Sequence, residues 1–269
     1  MTGRLASLRY LALLGILLAV SLWGARQRLA ERRLPDWRRS QTITVCPLVM
    51  DGVDAAEVDQ VVGGIETRLT DWFTRELGRY GTPARVPVEV TARPVRVIEG
   101  RPPELPDADS GFLARLAGTR AFLDWFATSA GVADADERDG WVYLLVGPRQ
   151  GAPNLGWHGL AVRREGMAVV VTDPQDLAHA ECVVAHEALH LFGATDRRNR
   201  RGEIPHPVGY AEPARLPPWP QDAAEVMALL IPISEDEERE PRGLDELVLG
   251  PLTAAEVGWV AEIPTPDGS

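Results

Sequence analysis

A mixed α/β (α+β) domain behind an N-terminal apolar segment is what this 269-residue sequence predicts, on three observations. First, runs of strand length rich in β-branched or apolar residues alternate with longer stretches of three-and-four periodicity. Second, a hydrophobic share of 45% and a charged share of 25% exclude a collagen-like, low-complexity or wholly disordered chain. Third, the charge is unevenly placed. All 28 basic residues are Arg; residues 1–40 hold eight of them against Glu31 and Asp36, a balance of +6, which leaves 20 Arg against 37 acids, or −17, for the remainder. A body that acidic argues against a nucleic-acid partner, since phosphate binding needs a clustered positive face. The expected division is therefore 1–40, a membrane anchor with a basic linker, and 41–269, one folded domain.

Each element has its own reason. YLALLGILLAVSLWGA, residues 10–25, is uncharged between Arg9 and Arg26. At about 1.5 Å per residue it reaches about 24 Å, and flanking Arg side chains can snorkel across the rest of a hydrocarbon core of about 30 Å. A cleaved signal peptide is the rival reading, but Trp23 stands where cleavage needs a small residue. The arginines after the run would keep the body in the cytoplasm. A single anchor ahead of one folded domain is instead the usual envelope arrangement, and the expectation adopted is a single-pass anchor with a periplasmic or otherwise extracytoplasmic body.

TITVCPLVM, closed by Asp51-Gly52, reads as the first strand. Val58, Val61, Val62, Ile65, Leu69, Trp72, Phe73 and Leu77 then predict a helix over 55–80. Alternation from Val86 to Ile98 predicts one bent strand or two short ones interrupted at Pro94. Phe112, Leu116, Phe122, Leu123, Trp125 and Phe126 predict an amphipathic helix over 111–130, and WVYLLVG at 141–147 a strand buried on both faces. Strands at 157–163 and 167–172 and a helix at 175–192 follow. Residues 193–222, dense in Gly, Pro and Arg, predict an irregular C-terminal subdomain. Thr253 and Glu256 stand in capping-box spacing for a short last helix. Cys46 and Cys182 are too few for a disulfide scaffold and read as buried thiols, with a disulfide between them as the alternative if the body is exported.

The helix at 175–192 carries the chemistry. In ECVVAHEALHLFGATD, His186 and His190 lie four apart, so both imidazoles project from one helical face and can share a metal. Glu187 stands beside that metal, placed to take a proton from its water. With five His in the chain, about 0.007 chance matches to HExxH are expected, so the spacing is a signal. A buried, satisfied pair of core histidines is the bland alternative; Glu187 weighs against it, because an unpaired carboxylate on an apolar helix is costly without a cation. For the third ligand Asp196, His206 and Glu212 are candidates, although Glu212 precedes Pro213. His179, two turns before His186, reads as a supporting or surface residue.

HEALHLFGATD resembles the HExxHxxGxxH/D signature of the metzincin zinc peptidases, in the variant where Asp replaces the third His, as in snapalysin. GATD, GYAEP, AEVMA and AAEVGW, over about the last 75 residues, are also similar to bacterial zincin-like membrane-anchored proteins. The resemblance implies a zincin-like mixed sheet with an active-site helix, one catalytic Zn2+ held by His186, His190 and Asp196, and Glu187 as catalytic base. It further implies a methionine turn at Met227. Many metzincins place a Tyr two residues after that methionine; Leu229 stands here, so Tyr210 or His158 would have to supply any such substrate or transition-state contact. The function implied is that of a zinc metalloendopeptidase acting on a peptide or protein substrate, with a non-catalytic zinc-binding envelope module as the alternative.

Overall fold

The structure, a computed structural model, describes Gly15 and residues 34–81, 87–107, 109–132, 138–148, 159–199 and 201–260. Apart from Gly15, the apolar run expected to form a transmembrane helix lies outside the described residues. Among the described residues no helix is long and apolar enough to cross a membrane. The chain divides after Leu34, and the second unit starts at Pro35. That unit takes in part of the stretch expected as linker: the Trp37 indole donates to the Val257 carbonyl at 2.7 Å and its ring meets Phe192 and Trp259 edge-on.

The body is mixed α/β, built on a six-stranded mixed sheet. Its strands are β1 (Gln41–Met50), β2 (Val88–Ala92), β3 (Arg96–Ile98), β4 (Gly140–Val146), β5 (Gly159–Val162) and β6 (Met167–Thr172), in the order β2-β1-β4-β6-β5 with β3 also on β1. All pairings are parallel except β5 with β6. β2 pairs with residues 41–45 of β1 and β3 with 48–50, so together they form one interrupted edge. The interruption contains Pro94, which cannot donate to a ladder.

Alternation along the strands separates two cores. Ile43, Val45 and Val49 of β1, Val142, Leu144 and Val146 of β4, and Ala168 and Val170 of β6 face one cluster. Cys46, Leu48, Met50, Trp141, Tyr143, Leu145, Val169 and Val171 face the other. The first is covered by α1 (Ala55–Val62), α2 (Ile65–Gly78) and α4 (Leu177–Phe192), the second by α3 (Phe112–Ala130). Cys46 and Cys182 are buried in different clusters and form no disulfide with each other. Burial pushes the Cys182 thiol up to about 12.

Three expectations need correction. The helix expected over 55–80 is two, because Gly64 takes a left-handed conformation (φ 76°) between them. In α3 only Phe122, Leu123, Phe126 and Ala130 are buried, while Phe112 and Leu116 of the expected apolar face are exposed. The last helix, α5 (Pro251–Glu256), is entered from Gly250 with Pro251 in its first turn. Thr253 and Glu256 do not form a capping box, because tertiary partners take both side chains.

From Gly193 to Ala223 no helix or strand forms among the described residues. Beyond it lie four two-residue strands: β7 (Ala224–Glu225), β8 (Ile231–Pro232), β9 (Glu238–Arg239) and β10 (Leu247–Val248). Hydrogen bonds from α2 hold this region. Trp72 donates to Leu247 O, Arg75 to Leu244 O, and the Tyr80 hydroxyl just past the helix to Leu249 O, while the buried Glu76 carboxylate accepts from Leu249 N.

Candidate metal centre

Helix α4 is buried along nearly its whole length and ends in a Schellman turn. Gly193, at φ 107°, donates its N–H to His190 O, and Ala194 donates to Leu189 O. A residue with a Cβ is strained at that φ, so glycine is what lets the chain reverse here. The reversal brings Asp196 back onto the histidines.

Backbone carbonyls fix both imidazoles. His186 Nδ1 donates to Val226 O at 2.9 Å and His190 Nδ1 donates to Ala194 O at 2.9 Å. With the proton on Nδ1, the neutral ring presents a bare lone pair at Nε2. The two Nε2 atoms are 3.0 Å apart, and Asp196 Oδ1 lies 3.2 Å from each. Three acceptors thus converge with no proton donor between them in the neutral state, an arrangement a cation resolves. Zinc bonds of about 2.0–2.2 Å in tetrahedral geometry require donor–donor edges of about 3.3–3.5 Å. The triangle fits with a few tenths of an ångström of expansion, and two imidazoles with one carboxylate is a donor set suited to zinc.

Charges shift accordingly. When the imidazoles carry a second proton, at Nε2, hydrogen bonds from His186 and His190 hold the Asp196 carboxyl well below the usual carboxylate range. Burial disfavours a charged His190, but Asp196, Glu187 and Ala194 O outweigh it and raise its pKa. Glu187 is 4% exposed; its Oε1 lies 4.0 Å from His186 Nε2, and its Oε2 has no hydrogen-bond partner. Burial raises its pKa, the two histidines pull it back in part, and Asp196 adds to the rise. Glu187, His186 and His190 each offer a donor atom within 4.8 Å of the others, but Asp196 stands closer to both rings than Glu187 does to His186. The two Nε2 atoms and Asp196 Oδ1 therefore form the tightest group of candidate ligand atoms here, with the Glu187 carboxylate alongside. These residues open on a cleft of about 850 Å³, also lined by Gly159, Leu160, Ala161, His179 and Met227–Leu230.

The other candidates fall elsewhere. Met227, expected in a methionine turn, is buried and is among the residues that line the cleft. Glu212 is exposed and accepts from Arg215, and His206 is exposed with its ring against Tyr210. Tyr210 does not reach the cleft: it is buried and its hydroxyl accepts from the Trp219 indole. His158 lies outside the described residues. His179 lines the cleft and donates from Nδ1 to Pro241 O.

Sequence reasoning missed the group that fixes the turn beneath the histidines. Glu225, 1% exposed, accepts from Met227 N at 2.7 Å with one oxygen, and from Thr253 Oγ1 at 2.6 Å and Gly250 N at 3.1 Å with the other. The turn it braces presents two consecutive carbonyls to the site. Val226 O holds His186, and Met227 O accepts the N–H of Arg197, the residue after Asp196. The buried Arg197 guanidinium donates to Thr195, Thr253 and Glu256. An acid between Ala224 and Val226, two positions before the methionine, was the available signal, since a carboxylate in an apolar run needs partners.

No protein-family model matches the chain, and no curated protein matches it. Similar solved structures include OgpA from Akkermansia muciniphila, at 12% identity and TM-score 0.40, covering 83% of this chain and 61% of that one. A zinc-dependent peptidase from Methanocorpusculum labreanum matches at 15% identity and TM-score 0.36, over 80% of this chain and all of that one. Archaemetzincin from Methanopyrus kandleri matches at 18% identity and TM-score 0.32, over 61% and 79%. The chain thus spans 61% of the length of the first. Likeness this distant carries no argument about activity, which rests on the donor atoms themselves.

Proposed function

We propose that this chain is a zinc-dependent metallopeptidase with Glu187 as its general base. One observation carries the reading: His186 Nε2, His190 Nε2 and Asp196 Oδ1 form a triangle with edges of 3.0–3.2 Å, no proton lies between them in the neutral state, and a buried carboxylate stands beside it. When bound there, zinc supplies a Lewis acid that polarises a carbonyl and brings the pKa of water toward about 7. The protein's own part is to hold and move a proton. Val226 O and Ala194 O keep both rings in the tautomer whose Nε2 is a ligand. Glu187, its pKa raised by burial, accepts the proton of an attacking water and returns it to the leaving amine. β5 pairs with β6 on one side, and its other edge is the place for an extended peptide to add as a strand. In the same reading residues 10–25 anchor the chain in a membrane with the body outside the cytoplasm.

The test is zinc content together with cleavage of a broad peptide library by the full chain and its Glu187→Gln variant. The expected result is stoichiometric zinc in both and a loss of about 10²–10⁴-fold in cleavage rate for the variant. Zinc without Glu187-dependent cleavage would leave a non-catalytic binding module; absence of zinc would defeat both metal readings.

A further inference from the structure

We propose that Gly159, at the start of the cleft-side edge strand, is a positioning residue for the general base; the inference rests on the metallopeptidase reading above. A Cβ on Gly159 would fall 2.0 Å from Glu187 Oε1, 2.5 Å from its Cδ and 2.8 Å from its Cγ. Ordinary heavy-atom contacts are about 3.5–4.0 Å, so the end of the glutamate side chain occupies the volume that any other residue at 159 would fill.

The strand's alternation explains the arrangement. Leu160 and Val162 pack with the cluster under α3, and Ala161 with the cluster under α4. Two residues apart on a strand share a face, which puts Gly159 on the α4 side with Ala161. The two smallest side chains of β5 therefore face the metal-binding helix, and Glu187 uses the room they leave. No hydrogen bond fixes its Oε2, and its Oε1 is 4.0 Å from His186 Nε2. Packing against a bare Cα holds the carboxylate beside the ligand triangle. A methyl group at 159 forces Glu187 into another rotamer and moves the carboxylate by an ångström or more, while His186, His190 and Asp196 keep their own supports.

The experiment compares the full chain with Gly159→Ala, Glu187→Ala and the double variant, measuring Tm without metal, zinc affinity, and kcat and KM on one cleaved peptide. Overpacking by one methyl in a protein of this size is expected to lower the Tm of Gly159→Ala by about 2–10 °C. That loss should vanish in the Glu187→Ala background, where the space is free. In Gly159→Ala, kcat should fall by about 100-fold with KM and zinc affinity little changed, since displacement of about 1 Å costs a rate of that order. An equal Tm loss in both backgrounds would overturn the contact. An unchanged kcat, or a change confined to KM, would overturn the positioning role. A wild-type chain that takes up no zinc would defeat the peptidase reading and with it the catalytic half of this inference, and the Tm coupling would still decide whether Glu187 occupies the space over Gly159.

Discussion

Between Gln41 and Phe192 the chain is held by apolar side chains buried on both faces of one sheet, whereas between Gly193 and Trp259 two-residue strands and turns extend one of those apolar clusters and are tied in addition by buried polar groups. In the first region β1 and β4 are buried almost throughout, and each large apolar side chain contributes about 1.5–3 kcal/mol. In the second, Arg197, Gln221, Glu225 and Thr253 are all buried, and Glu225 accepts three hydrogen bonds. The candidate metal centre lies on the seam. The regular region supplies His186, Glu187 and His190 on a rigid helix; the irregular region supplies Asp196 and the Val226 carbonyl that sets one histidine's tautomer. Apolar burial sets where the helix lies, and the polar network sets which atoms meet on it.

Four perturbations should separate the two regions. Phe126→Ala removes a fully buried ring under the sheet and is expected to cost about 3–5 kcal/mol in urea unfolding, with zinc affinity of the folded fraction unchanged. A loss of zinc affinity as large as the loss of stability would break the distinction. Chelation acts on the other side. At free zinc 100 times its Kd, bound metal stabilises the fold by about 2.7 kcal/mol. Its removal should speed amide exchange at 194–199 and 225–229 and leave β4 protected; equal acceleration in both would contradict a seam.

Glu225→Gln replaces one acceptor oxygen with a donor facing the Met227 N–H or the Thr253 and Gly250 donors. Zinc affinity should weaken about 10–100-fold, the usual cost of disturbing groups that orient ligands, as chelator competition would show.

The smallest effect concerns acid. Arg239, then the Arg242 N–H, lower the Glu246 pKa from 4.5 to about 2 in the folded chain. A folded pKa below the unfolded one adds stability above pH 4.5 and loses it as pH falls toward 2. The pair is near the surface, so screening limits the gain to well under about 1 kcal/mol. Glu246→Gln should lower the urea midpoint slightly at pH 7 and match the wild type near pH 2; a difference that persists near pH 2 would mean the pair is not its source.

The same contrast explains what could be read from the sequence. Strands such as WVYLLVG declare themselves because burial on both faces leaves a continuous apolar run, and His186, Glu187 and His190 because helical spacing alone puts two rings on one face. Asp196 entered as a candidate through the metzincin-like signature, in which Gly193 after the helix marks a reversal. Gly159, Arg197 and Glu225 were not, since each acts through a partner distant in sequence: Glu187, Glu256 and Thr253. Thr253 and Glu256 show the converse, a local capping spacing overridden by tertiary contacts.

Metal content with the bound ion located by anomalous diffraction tests the central claim most directly, measured on the wild type, Asp196→Ala and Glu212→Ala. One zinc per chain at His186 Nε2, His190 Nε2 and Asp196 Oδ1, lost in Asp196→Ala and retained in Glu212→Ala, is the expected result. A wild type without zinc, or a zinc site that survives Asp196→Ala intact, would contradict it.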